Sequence, residues 1–166
     1  MRNETAIPYT YTAEETTANT AITAMVDAKI RLVGHQVPSE SICNARQLKA
    51  YCTNLLQDCA MEEIHLICVN AQMQIICESC ISCGSLSEVN AYPRNIATVA
   101  LLSNAHSVFL THNHPGGTCA PSAEDVASTL QIQKALKLFN IYLLDHIIVT
   151  AMGSYSMAQH GDFDPR

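Results

Sequence analysis

Thr111-His112-Asn113-His114-Pro115-Gly116-Gly117-Thr118-Cys119-Ala120-Pro121-Ser122-Ala123-Glu124-Asp125 is the stretch from which the fold and its chemistry are read. The segment Ser107 to His114 reads as a strand, and residues two apart on a strand share a face, so His112 and His114 present both imidazoles together while Asn113 faces away. Pro115, Gly116 and Gly117 end the strand and turn the chain. Pro121 and Ser122 then open a helix whose first turn contains Asp125, which can fold back over the histidines. Two imidazoles and one carboxylate at a strand end suit a tetrahedral zinc ion (Zn2+) with its fourth position open to water, the catalytic rather than the structural arrangement. Singly, each element has a plainer reading: a His-x-His pair is often a hydrogen-bonded surface pair, and Ser-x-x-Asp is usually a helix cap. Their combination in one short window, with a turn between them, favours the metal.

Outward from this stretch, helices and strands interleave. Downstream, a helix is expected from about Ala123 to Phe139, then a strand from Ile141 to Thr150 and a short strand near Tyr155. Upstream, Pro93 suits the first turn of a helix that runs to about Ser103, because the N–H that proline lacks would be unpaired there anyway. Ile64 to Val69 reads as a strand, Asn70 to Gln72 as a turn, and Met73 to Cys77 as the partner strand of a hairpin. Asn44 can cap a helix with the stripe Leu48, Tyr51, Cys52, Leu55 and Leu56, and Gly34 to Ser41 is a connector behind a first helix carrying Ile22, Met25, Val26, Ile30 and Val33. The class is α/β with a mixed sheet, read as a flexible tail over residues 1–20 and a single domain over residues 21–166.

Composition narrows the function classes. With 166 residues, 48% of them hydrophobic and 14% charged, the chain can bury a core without disulfides. Its richest apolar segment, Ile96 to Leu110, is interrupted by Ser103, Asn104, His106 and Ser107, so no membrane span is expected. The N-terminal MRNETAIPYTYTAEE has no apolar run after its arginine, which argues against a secretory signal and for the cytoplasm. A net charge of -6 lacks the Lys and Arg surplus of a non-specific nucleic-acid binder. The eight cysteines read as reduced thiols. Cys77, Cys80 and Cys83 are spaced Cys-x-x-Cys-x-x-Cys, but no fourth thiolate follows for a cluster, and strand alternation sends Cys80 to the face opposite Cys77, so ordinary strand and loop thiols are expected.

The spacing His112-x-His114-Pro115 to Ser122-x-x-Asp125 resembles the JAMM motif of MPN-type metallopeptidases, and in particular the RadC family. Further matches are Glu62 eight residues before Asn70, Gly84 after the hairpin, Pro93-Arg94, Asn104-Ala105, Asp145-His146-Ile147-Ile148-Val149 and Tyr155-Ser156-Met157, together covering about residues 45–161. The chain resembles the short forms, without a helix-hairpin-helix region in front. The resemblance implies a curved mixed β-sheet flanked by helices, of the cytidine-deaminase-like kind. It also implies zinc on His112, His114 and Asp125, a general-base glutamate at Glu62, and Ser122 hydrogen-bonding the reacting oxygen. Departures fall at Tyr92, Asn95 and Gly116, where family members carry His, Glu and Ser; none is an implied ligand.

These features converge on hydrolysis of a peptide or isopeptide bond in a protein or peptide substrate. Phosphodiester cleavage in nucleic acid stands second, because of the acidic balance and the single-metal ligand set, and an inactive scaffold third, because every ligand is retained. Alternation alone does not decide between Glu62, which shares a face with Ile64 and Leu66, and Glu63, which shares one with His65 and Ile67; the resemblance selects Glu62. His146 stands between a partner of a metal ligand and a structural histidine. The run His112-Asn113-His114 is not an HNH nuclease signature, nor does it continue into the His-x-His-x-Asp-His of metallo-β-lactamases, since Gly116 and Gly117 follow.

Overall fold

The computed structural model describes residues 41–84 and 91–165; the tail, the first expected helix and most of the connector after it lie outside the described residues. The described elements are α1 (Ala45–Leu56), β1 (Glu62–Val69), β2 (Ile75–Gly84), α2 (Pro93–Leu102), β3 (Ser107–Asn113), α3 (Ala123–Lys137), β4 (Tyr142–Thr150), β5 (Gly153–Ser156) and α4 (Met157–His160). The five strands form one mixed sheet in the order β2-β1-β3-β4-β5. β1 runs antiparallel to β2 and β3, β4 parallel to β3, and β5 antiparallel to β4. A parallel pair cannot be joined by a tight turn, so α3 carries the chain back between β3 and β4.

Local chemistry sets the element ends. The Asn44 side chain accepts from the Gln47 N–H and caps α1, while Pro93 occupies the first turn of α2. The hairpin turn is two residues longer than the sequence suggests, running from Asn70 to Gln74. Asn70 Oδ1 accepts from the N–H groups of Gln72 and Gln74, and Met73, at φ 61°, closes the turn rather than opening the strand. β2 therefore begins at Ile75 and continues to Gly84, well past Cys77. Likewise α3 stops at Lys137, and the turn after it ends at Asn140, whose left-handed φ of 56° ends helical continuity.

Two apolar layers sandwich the sheet. Ile64, Leu66, Val108, Leu110 and Ile148 meet α2 and α3 through Ile96, Ala100, Ile132 and Leu136. On the other face Ile67, Val69, Phe109, Ile147 and Val149 meet α1 through Leu48, Cys52 and Leu56. β3 lies in the middle with every residue buried. Leu110, fully buried at its centre, tests this packing: Leu110→Ala is expected to cost about 2–5 kcal/mol in chemical denaturation, and a loss below about 1 kcal/mol would refute the packing described.

Candidate metal centre

Strand alternation carries His112 onto the α2/α3 face beside Ile64, its register partner on β1. His112 Nε2 lies 2.9 Å from His114 Nε2 and 3.3 Å from Asp125 Oδ1, and His114 Nε2 is 3.5 Å from Asp125 Oδ2. Donor atoms of these three residues all fall within 4.8 Å of one another. The turn brings them together: Gly117, at a φ of 91° that a side chain would strain, donates its N–H to the His114 carbonyl, and the next carbonyl, of Thr118, reaches His114 Nδ1 at 2.7 Å.

The protons in this cluster can be placed by elimination. A carbonyl only accepts, so His114 Nδ1 carries the proton given to Thr118, and in the neutral ring Nε2 keeps its lone pair. The second chain of reasoning starts at the Asp125 carbonyl, which accepts from the Thr129 hydroxyl at 2.6 Å. Having given its single proton there, Thr129 Oγ1 must accept from His146 Nδ1 at 2.7 Å. His146 Nε2 is then a bare acceptor and receives the Nδ1 proton of His112 at 2.8 Å. His112 Nε2 is left unprotonated, aimed at another unprotonated nitrogen and a carboxylate. Three acceptors converge with no donor among them, and a cation is what such a set fits.

Titration behaviour agrees with this placement for His112 and His146. Burial holds His112 down to about 4 and His146 well below the ordinary imidazole range. The Asp125 hydrogen bond raises His114 against its burial. Burial alone would push the Asp125 carboxyl up, but His114, His112 and Ser122 together hold it well below the usual carboxylate range. Ser122 and Asp125 form a reciprocal cap at the start of α3: the serine N–H and hydroxyl both donate to Asp125 Oδ2, at 2.8 and 2.7 Å, and the Asp125 N–H donates back to Ser122 Oγ. Ser122 thus orients the carboxylate rather than offering a free donor in this arrangement.

β1 begins at Glu62, and continuing its register beyond the Ile64–His112 pair brings Glu62 level with His114 on the metal face. Glu63 turns to the α1 face. Burial raises the Glu62 carboxyl, Asp125 adds to this and His114 opposes it. Sequence reasoning missed Asn113. Its side-chain amide donates to the carbonyls of Cys59 and Met61, and its Oδ1 accepts from the Glu63 N–H, tying the segment that carries Glu62 to the histidine strand. Its signal was its position: a buried polar side chain between two same-face histidines must find partners on the opposite face. Thr129 gave no such signal, because a threonine inside a helix is not diagnostic.

A family model described as a RadC-like JAB domain matches residues 42–162. A UPF0758 protein of Bordetella pertussis is 37% identical over 125 residues, 75% of this chain and 56% of its own length. A UPF0758 protein of Escherichia coli K12 is 39% identical over 100 residues, 60% of this chain and 62% of the relative. One from Staphylococcus aureus is 32% identical over 114 residues, 69% and 50% respectively. The chain thus spans little more than half the length of these relatives.

Two outcomes test the proton placement. In chelated protein, a ¹⁵N imidazole titration should find His112 neutral until the pH nears about 4, against an ordinary 6.5. Its contribution to stability is then complete above the ordinary value and is lost as pH falls toward the folded one, because the unfolded chain takes up the proton first. Thr129→Val, which removes the hydroxyl but little volume, should keep the fold and weaken zinc binding about 10–100-fold in a chelator-competition titration. Unchanged affinity would dismiss the relay.

Proposed function

The chain belongs to the RadC-like JAB domain family, and from that premise we propose that it is a zinc-dependent hydrolase of the JAMM type, cleaving a peptide or isopeptide bond in a protein or peptide substrate. The observation that carries this reading is the convergence of His112 Nε2, His114 Nε2 and the Asp125 carboxylate, with the Nδ1 protons of both imidazoles directed elsewhere. Zinc bound there would supply a Lewis acid for the scissile carbonyl and lower the pKa of water. His112 and His114 hold their lone pairs toward the ion because Thr118, His146 and Thr129 fix their tautomers.

Glu62 is the base in this reading. A carboxyl that burial raises above its ordinary value and that lies on the ligand face is suited to take the proton of an attacking water and return it to the departing amine. Ser122 holds Asp125 in its resting position; by turning its hydroxyl from Asp125 it would offer a hydrogen bond to the developing oxyanion. Asn113 keeps Glu62 at the ligand strand, so the reacting groups sit on tied backbone rather than on a free loop. Three donors around one ion suit acyl transfer better than phosphodiester cleavage by paired ions, and the net charge of -6 weighs the same way.

The test is metal-loaded protein assayed on isopeptide-linked, linear peptide and nucleic-acid substrates beside a chelated control. Chelator-sensitive cleavage of a peptide or isopeptide bond is expected; cleavage of nucleic acid alone would overturn the reading. Glu62→Gln should keep its zinc and fold and lose turnover by about 10² or more, the scale of general-base catalysis. If turnover dies in Glu63→Gln instead, the base lies on the other face.

A further inference from the structure

The α1 face of the sheet carries a second cluster of metal-binding side chains, separated from the first by the sheet itself. It arises from a bulge. Ile64 pairs with Ser82 but His65 pairs with Cys80, so Ile81 has no partner and the alternation of β2 shifts by one residue. Cys80 and Cys83, three residues apart, would face opposite ways on a regular strand. The bulge puts both on the face of Glu63 and His65, their respective register partners being His65 and Glu63. Cys77, before the bulge, points into the core on the other face.

The imidazole at the centre is oriented as a ligand would be. His65 is buried at 7% exposure, and its Nδ1 lies 2.7 Å from Glu78 Oε1, the carboxylate–histidine contact that fixes a ring with Nε2 outward. Nε2 lies 2.9 Å from Glu63 Oε2. The donor atoms of Glu63, His65 and Cys80 all lie within 4.8 Å of one another. Cys83 Sγ lies 3.8 Å from Glu63 Oε1, and Cys59 also borders that carboxylate.

We propose that Glu63, His65 Nε2 and Cys80 Sγ hold a second metal ion of the zinc class, with Cys83 the nearest further donor. Nitrogen, oxygen and sulfur donors together select a borderline ion such as Zn2+ over Mg2+ or Ca2+, which take oxygen. His65 sits between two carboxylates, Nδ1 at 2.7 Å from Glu78 and Nε2 at 2.9 Å from Glu63. Burial and the Glu63 charge push the Cys80 thiol up. An ion would take the place of the His65–Glu63 contact and of the Cys80 thiol proton. This inference does not depend on hydrolysis at the first site.

Cobalt(II) distinguishes the two sites, because only the second contains a sulfur donor and gives thiolate-to-cobalt charge-transfer absorbance. Titration of the full, reduced chain should produce that band within two cobalt per chain, and at one per chain once the first site is removed. The band should persist in His112→Ala plus His114→Ala and in Cys77→Ser, disappear in Cys80→Ser, and need about 10–100-fold more cobalt in Glu78→Gln. No band in the parent, or a band unchanged in Cys80→Ser, would overturn the proposal. Should Cys80→Ser fail to fold, alkylation of the parent decides: zinc at about ten times its dissociation constant should slow modification of Cys80 about 10-fold. An unchanged rate would refute the site.

Discussion

β3 is hydrogen-bonded on both sides, antiparallel to β1 and parallel to β4, and is covered on both faces. Because side chains alternate with a period of two, a slip of one residue in either ladder would exchange the faces of the whole strand. His112 would enter the α1 layer and Asn113 the metal face. The apolar neighbours prevent it: Val108 and Leu110 fit the α2/α3 layer and Phe109 the α1 layer, so the hydrophobic pattern that packs the core also aims the imidazoles. The Asn113 contacts to Cys59, Met61 and Glu63 then lock the adjoining strand to the same register.

The direction of proton donation is what turns this geometry into chemistry. Two imidazole nitrogens 2.9 Å apart could share a proton, and the pair would then be merely a hydrogen bond. Between neutral rings Thr118 and Asp125 exclude that sharing through their backbone carbonyls, one directly and one through Thr129 and His146. Asp125 therefore acts twice, with its carboxylate toward the histidines and its carbonyl at the far end of the relay. The helix cap formed with Ser122 fixes both ends, since it sets the first turn of α3 from which they project.

Much of this was legible in the sequence because it is local. His112, His114, Ser122 and Asp125 lie within one strand, one turn and one helix start, and period-two alternation with capping chemistry is enough to bring them together. The mixed α/β class followed from interleaved elements, and the ends at Asn44 and Pro93 from their capping chemistry. What alternation left open was which face of β1 meets the metal, because that depends on pairing with a strand some fifty residues away. The hairpin turn and the start of β2 were misjudged because Met73 adopts a left-handed backbone that its residue type does not advertise, and the far end of β2 because pairing with β1 carries it to Gly84. The Ile81 bulge was invisible for a related reason: an unpaired residue exists only relative to its partner strand, and regular alternation would set Cys80 and Cys83 on opposite faces.

The parallel pairing of β3 with β4 has a consequence for the order in which the molecule matures. The two histidines and Asp125 are joined by a short stretch of chain, so they can meet early during folding, at little loop-closure cost. The proton relay cannot form until α3 has carried the chain across to place His146 on β4, and Glu62 comes to its station only when the distant β1 has docked. A partly folded chain would therefore capture an ion on loosely oriented ligands before it has a base beside them. On the proposed hydrolytic reading, Glu62 would then be the last of the site residues to reach its place.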